Sequence, residues 1–143
     1  MNKNAIILIA DDDPDDCYLV KSAFEECKIN NPLAFAQNGL EALDYLKLPQ
    51  IDEKHVGLII LDLNMPKMDG RETLKRLKSD PKWQRIPVIV MTTSQAPEDI
   101  YQCYGLGANC YITKPSSFDE LADTIATMGK FWLRVALLPN CLA

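Results

Sequence analysis

Three acids, one hydroxyl and one amine stand where apolar runs of this chain end. Asp11 and Asp12 follow the run 5–10, Asp62 follows 58–61, Thr92 follows 88–91, and Lys114, itself followed by Pro115, comes after 111–113. A carboxylate is already ionised at neutral pH, so it can act as a nucleophile without a base. Two carboxylates about 4 Å apart repel by about 4 kcal/mol at an effective dielectric near 20, so three on one edge require a cation or raised pKa values. All the candidate ligands are oxygens, with no thiol or imidazole among them. That donor set selects a hard cation, and Mg²⁺ suits one or two carboxylates plus a phosphate oxygen. With the ion and Lys114 offsetting charge on the equatorial oxygens and Thr92 donating a hydrogen bond, Asp62 is placed to attack a phosphoryl group in line. The product is an aspartyl phosphate.

Such a cluster needs elements that deliver all five residues to one edge. Five short apolar runs, at 5–10, Leu33–Ala36, 58–61, 88–91 and 111–113, alternate with segments of helical period. The runs Ile6-Ile7-Leu8-Ile9 and Val56-Gly57-Leu58-Ile59-Ile60-Leu61 do not alternate with polar residues, which is how strands covered on both faces read. The pattern predicts an α/β fold, a doubly wound five-stranded parallel sheet flanked by five helices. Ligands of such sheets bind outside the carboxyl ends of the strands.

Helix boundaries agree. Asp13 precedes Pro14 as an N-cap, with Asp15 and Asp16 near the positive helix end, and Cys17, Val20, Phe24 and Cys27 form one apolar stripe. Ser117 and Glu120 have the spacing of a capping box at the start of the last helix. From there Phe118, Leu121, Ile125, Met128, Trp132 and Val135 recur at helical spacing, predicting an extended C-terminal helix of about 31 Å at 1.5 Å per residue. Residues 131–138 are apolar nearly all round, which predicts either an end folded back on its own domain or a self-association or partner surface. One polar loop, 47–54, contains Pro49.

Composition narrows the partners. The length of 143 residues predicts one domain spanning 1–143. A formal net charge of −5, without a Lys/Arg cluster, argues against nucleic acid. No stretch reaches the roughly 20 apolar residues of a membrane span, and the N-terminus lacks the pattern of a signal peptide, so a cytoplasmic location is expected. Five cysteines without a C-x-x-C pair read as structural thiols, and the lone His55 excludes chemistry needing a histidine pair.

The segments Ile7-Leu8-Ile9-Ala10-Asp11-Asp12-Asp13-Pro14, Leu61-Asp62-Leu63-Asn64-Met65-Pro66-Lys67-Met68-Asp69-Gly70, Met91-Thr92-Thr93-Ser94 and Tyr111-Ile112-Thr113-Lys114-Pro115 together resemble the response-regulator receiver family of two-component signalling. The resemblance covers about residues 5–128, which implies a core over that span and a helical extension at 129–143. It implies that Asp62 is the phosphoacceptor, that Asp12, Asp62 and the backbone carbonyl of Asn64 ligate Mg²⁺ directly, and that Asp11 holds the ion through water. It further implies that Thr92 and Tyr111 form a switch pair, that Lys114 contacts a phosphoryl oxygen with a cis bond to Pro115, and that Asn64 and Ser94 tune phosphoryl lifetime.

The phosphoryl donor would be a histidine kinase. The chain would catalyse only its own phosphotransfer and dephosphorylation, so it is not expected to be an enzyme acting on a free substrate. The 47–54 loop and the Phe131-Trp132-Leu133 tail resemble the stand-alone receivers paired with phytochrome-type histidine kinases, members of which often form dimers. A homodimer and a downstream protein target are therefore expected. A haloacid-dehalogenase-type hydrolase is disfavoured because Asn64 stands where its second acid belongs. An FMN carrier is disfavoured because Asp11-Asp12-Asp13 would repel the phosphate. The alternative is a receiver-like binding module that works without phosphorylation.

Overall fold

Strand β1 (Ile6–Ala10) sends Ile7 and Ile9 to one face of the sheet and Leu8 and Ala10 to the other, and all four are buried. Burial on both faces needs helices on both faces. The computed structural model describes residues 4–51 and 55–139. Among them, β1 is followed by α1 (Pro14–Glu26), β2 (Leu33–Ala36), α2 (Gly39–Leu46), β3 (Val56–Leu61), α3 (Gly70–Ser79), β4 (Val88–Thr92), α4 (Pro97–Gly105), β5 (Cys110–Thr113) and α5 (Phe118–Lys130). All strand pairs are parallel and the order is β2-β1-β3-β4-β5. The five predicted runs each lie within or overlap one of these strands.

One buried cluster joins Leu8, Ile59, Leu61 and Val90 of the sheet to Leu43, Leu74, Leu77 and Cys103 of α2, α3 and α4. The other joins Ile7, Ile9, Ile60 and Ile89 to Phe24, Leu121, Ile125 and Met128 of α1 and α5. Each fully buried side chain of this size stabilises by about 1.5–3 kcal/mol relative to exposure. Strand order reverses between β1 and β3, so the crevice typical of doubly wound sheets lies over their carboxyl ends. Ala10 pairs with Leu61 there, and the Asp62 amide donates to the Ala10 carbonyl at 3.0 Å. That register sets Asp62 beside Asp11.

Caps start the helices where the site needs them. Asp13 accepts from the amides of Asp15 and Asp16 at 2.9 and 3.4 Å, and Asp69 accepts from the Glu72 amide at 3.0 Å. At α5 the Ser117 hydroxyl accepts from the Glu120 amide at 3.2 Å, one half of the expected capping box. Gly70 opens α3 hard against β3: a Cβ there would collide with the Asp62 carbonyl, while the Gly70 amide donates to the Leu63 carbonyl at 2.8 Å. Only glycine permits that approach.

Two expectations are corrected. The Lys114–Pro115 bond is trans, as are all peptide bonds among the described residues, in keeping with the intrinsic preference of about 0.5–1 kcal/mol for trans. The last helix does not continue as one α-helix. After Lys130 it widens into a π-helical turn, Phe131–Val135, closed by the Ala136 amide on the Phe131 carbonyl at 2.7 Å, and Ala136 is extended.

A π turn bonds i to i+5 and so advances the buried face by five residues, from Met128 to Leu133. Leu133 and Leu138 are buried against the α1–α5 cluster, whereas Val135, expected on the buried stripe, is 63% exposed. Phe131 and Leu137 are exposed as well. The tail thus folds back in part and leaves an apolar outer side. Cys17, Cys27, Cys103 and Cys110 are free thiols; Cys141 lies outside the described residues, as do the last three residues of the 47–54 loop that precede His55.

Candidate functional site

Lys114 leaves the end of β5 with its amide on the Thr92 carbonyl at 2.7 Å. Its ammonium lies 2.9 Å from Asp11 Oδ2, 2.8 Å from Asp16 Oδ2 and 3.2 Å from Asp62 Oδ2. Burial alone would lower the pKa of this ammonium, but the Asp16, Asp11 and Asp62 carboxylates more than offset it and push the group well above the ordinary lysine value. Asp11 shifts upward as well, but from the opposite cause. Burial raises its carboxyl pKa, against the opposing pull of the Asp13 amide and of Lys114.

Asp62 closes the buried strand β3, and its Oδ1 accepts from the Leu63 amide at 2.8 Å. One carboxylate oxygen from each of Asp11, Asp12 and Asp62 lies within 4.8 Å of the other two. Asp11 and Asp62 are buried and Asp12 is exposed, which leaves the group open to solvent on one side. Counting Asp16, three acids contact one ammonium, and Asp12 adds a fourth negative charge beside them. The surplus negative charge and the all-oxygen donor set fit a hard divalent cation. Asn64 is exposed in the loop after β3. In the same loop Lys67 takes a φ of 65°, a left-handed conformation uncommon for a residue with a side chain.

Thr92, at the end of β4, is fully buried, and its hydroxyl has no hydrogen-bond partner. An unsatisfied buried hydroxyl costs about 1–3 kcal/mol, so the position holds a donor in reserve. Tyr111 packs its ring against the cluster under α2, α3 and α4, and its hydroxyl donates to the Ser94 carbonyl at 2.9 Å. Burial raises the pKa of that phenol. The Ser94 hydroxyl donates to Asp99 Oδ2 at 2.6 Å, and Arg71 Nη2 lies 2.6 Å from Asp99 Oδ1. The Ser94 donor and then Arg71 hold the Asp99 carboxyl below the usual carboxylate range.

The structure therefore brings Asp11, Asp12, Asp62 and Lys114 together and sets Thr92 and Tyr111 on the two adjacent strands. Sequence reasoning had treated Asp16 only as a first-turn acid of α1. The signal was available: side chains on a helix tilt toward its N-terminus, which here is the strand-end edge. Arg71 and Asp99 gave no local signal, because their meeting depends on how α3 and α4 pack.

A five-stranded doubly wound sheet with an acid trio at β1 and β3, a hydroxyl at β4 and a lysine at β5 defines a receiver domain. The chain belongs to the response-regulator receiver family, whose model, the response regulator receiver domain, matches residues 7–126. It is 36% identical over 140 residues to the response regulator Rcp1 of Synechocystis sp., covering 96% of this chain and 95% of that protein. A crystal structure of the phosphorylated cyanobacterial phytochrome response regulator RcpA superposes with a TM-score of 0.86 at 38% identity, covering 95% of this chain and 99% of that one. The crystal structure of Mn²⁺-bound Rcp1 gives a TM-score of 0.83 at 37% identity, covering 94% and 99%. The chain is accordingly a receiver of two-component signalling, a class served by histidine kinases and able to bind a divalent metal.

Proposed function

We propose that this chain acts as a single-domain response regulator, with its core at about 5–128 and an extension at 129–143. It takes a phosphoryl group from a histidine kinase onto Asp62 in a Mg²⁺-dependent reaction and signals through a changed protein surface. The observation that carries this reading is the Lys114 ammonium shared between Asp11, Asp16 and Asp62, at 2.9, 2.8 and 3.2 Å. A lone ammonium among four acids leaves room for a second cation, which a structural ion pair alone does not need.

Asp12, Asp62 and the Asn64 carbonyl would hold the ion directly, and Asp11 through water. Bound there, Mg²⁺ supplies positive charge against the oxygens of the transferring group. An Asp62 carboxylate oxygen forms the new bond to phosphorus as the phosphorus–nitrogen bond of the donor phosphohistidine breaks, and that electron pair returns to the imidazole. Lys114 donates to a phosphoryl oxygen. Thr92 satisfies its unpaired hydroxyl on another, and Tyr111 follows the β4–α4 loop.

Water later cleaves the aspartyl phosphate, so the chain turns over no free substrate other than its own modification. The likeness to phytochrome response regulators supports a phytochrome-type kinase as donor. No described helix is long and apolar enough to cross a membrane, and the net charge of −5 supports a protein target in the cytoplasm over nucleic acid. Exposed Phe131, Val135 and Leu137 on the tail support a homodimer.

Intact mass after incubation with Mg²⁺ and acetyl phosphate tests the reading. A single phosphoryl adduct is expected for the wild type, and none without Mg²⁺ or in Asp62→Asn. An adduct that survives in Asp62→Asn would overturn Asp62 as the acceptor, and none in the wild type would leave a binding module that works without phosphorylation.

A further inference from the structure

Helix α4 begins without a side-chain cap: Ala96 stands at its N-cap, and Pro97 opens the first turn. What holds this end is a chain of polar contacts that crosses three elements. Arg71, in the first turn of α3, binds Asp99, in the first turn of α4, at 2.6 Å. Asp99 accepts from the Ser94 hydroxyl at 2.6 Å, and that same hydroxyl accepts from the Ala96 amide at 3.3 Å. The Ser94 carbonyl in turn accepts from the Tyr111 hydroxyl of β5 at 2.9 Å. Ser94 is thus held at both its side chain and its backbone, two residues past Thr92.

We infer that Arg71 and Asp99 are positioning residues that latch the β4–α4 loop, with the Tyr111 hydroxyl bonded to it, in the arrangement that receives a phosphoryl group on Asp62. The inference rests on the reading of Thr92 and Tyr111 as the switch pair. Two observations support it. The Tyr111 ring is packed on the core while its hydroxyl bonds the Ser94 carbonyl, so ring and loop are held together. The α3 end of the latch is also anchored, because Gly70, next to Arg71, donates to the Leu63 carbonyl one residue past Asp62.

A loop held in one arrangement needs less reorganisation on phosphorylation, and a ligand of that arrangement binds more tightly when the competent fraction is larger. Charge-assisted bonds at both oxygens of Asp99 make that carboxylate the joint of the latch. Freeing it should let Ser94, and with it the Tyr111 hydroxyl, leave the loop.

The test is the Mg²⁺-dependent affinity for the beryllofluoride mimic in the full chain, for wild type, Asp99→Ala, Ser94→Ala and the double variant. The Tyr111 ring is followed on the same samples by NMR of labelled tyrosine, and stability by urea midpoint. Each single variant is expected to weaken the mimic about fivefold and to shift the free-state Tyr111 resonance, with the double variant no weaker than the worse single. Additive losses, or an Asp99→Ala affinity within twofold of wild type with an unmoved Tyr111 signal, would overturn the latch while leaving the phosphoacceptor assignment standing. Mimic binding that is absent in the wild type, or unaffected by Asp62→Asn, would bring down both.

Discussion

Lys114 Nζ lies 3.2 Å from Asp62 Oδ2 although β5 and β3 are not neighbours, with β4 between them in the sheet. The long lysine side chain crosses over the end of β4 to reach the acids of β1 and β3. It therefore couples three strand ends and the first turn of α1 through one charge.

Replacing that charge should have opposite effects on metal binding and on chemistry. Lys114→Ala leaves Asp11, Asp16 and Asp62 without their ammonium, so the metal-free protein should lose about 3 kcal/mol of stability, the low end for removing one partner of a largely buried ion pair. Mg²⁺ should bind at least as tightly as in wild type, because its competitor is gone. Phosphorylation by acetyl phosphate should slow at least about a hundredfold, through loss of a positioned charge in the reacting group. Urea melts with and without Mg²⁺, together with adduct formation by mass, check all three.

Metal binding should itself stabilise the fold. At about one hundred times its dissociation constant, Mg²⁺ should add about 2.7 kcal/mol, because it binds the native state and not the unfolded chain. Asp12→Asn should remove most of that gain while changing metal-free stability little, since Asp12 is exposed and lies outside the Lys114 ion pairs. Calorimetric melting across a Mg²⁺ series is the measurement.

Thr92→Val tests the unpaired hydroxyl. The substitution keeps the shape of the buried side chain and removes a donor that has no partner. The unphosphorylated protein should be as stable as wild type or about 1 kcal/mol more stable. Phosphorylation should nevertheless fail to shift amide exchange in the loop between β4 and α4, which hydrogen exchange on the phosphorylated form would reveal.

The Arg71–Asp99 pair gives a pH signature. Asp99 has a folded pKa below its ordinary value of 3.8, so its contribution is present above that value and is lost as pH falls through the lower folded one. The difference in melting temperature between wild type and Asp99→Asn should be constant from neutral pH down to about 5 and should close below about pH 4. A gap that persists undiminished at pH 2.5 would place its origin elsewhere than in the charge.

The tail separates folding from assembly. Leu133→Ala should destabilise the chain by about 2–4 kcal/mol, because Leu133 is buried with Ile125 and Met128. Val135→Asp and Leu137→Asp, at 63% and 85% exposure, should leave stability within about 0.5 kcal/mol. By light scattering the wild type is expected to be a dimer and both variants monomers.

Local pattern determined much of this protein before any tertiary structure was known. Two-sided apolar runs dictated buried parallel strands, and side chains such as Ile7 and Leu8 duly enter opposite cores. Asp13 and Ser117 marked helix starts through their bonds to the next turn, and the strand ends carried Asp11, Asp62, Thr92 and Lys114 to one edge. All of this depends on residues within a few positions of one another or on the alternation of a single strand.

Tertiary packing decided the rest. Asp16 meets Lys114 across 98 residues of chain, and Arg71 meets Asp99 across 28, pairings set by which helices share a sheet face and how closely they lie. The buried stripe of α5 shifts at the π turn because Leu133, not Val135, lies where the α1–α5 core can receive it. Period and spacing specify which way a side chain leaves its own element; only the docked elements specify which group waits there.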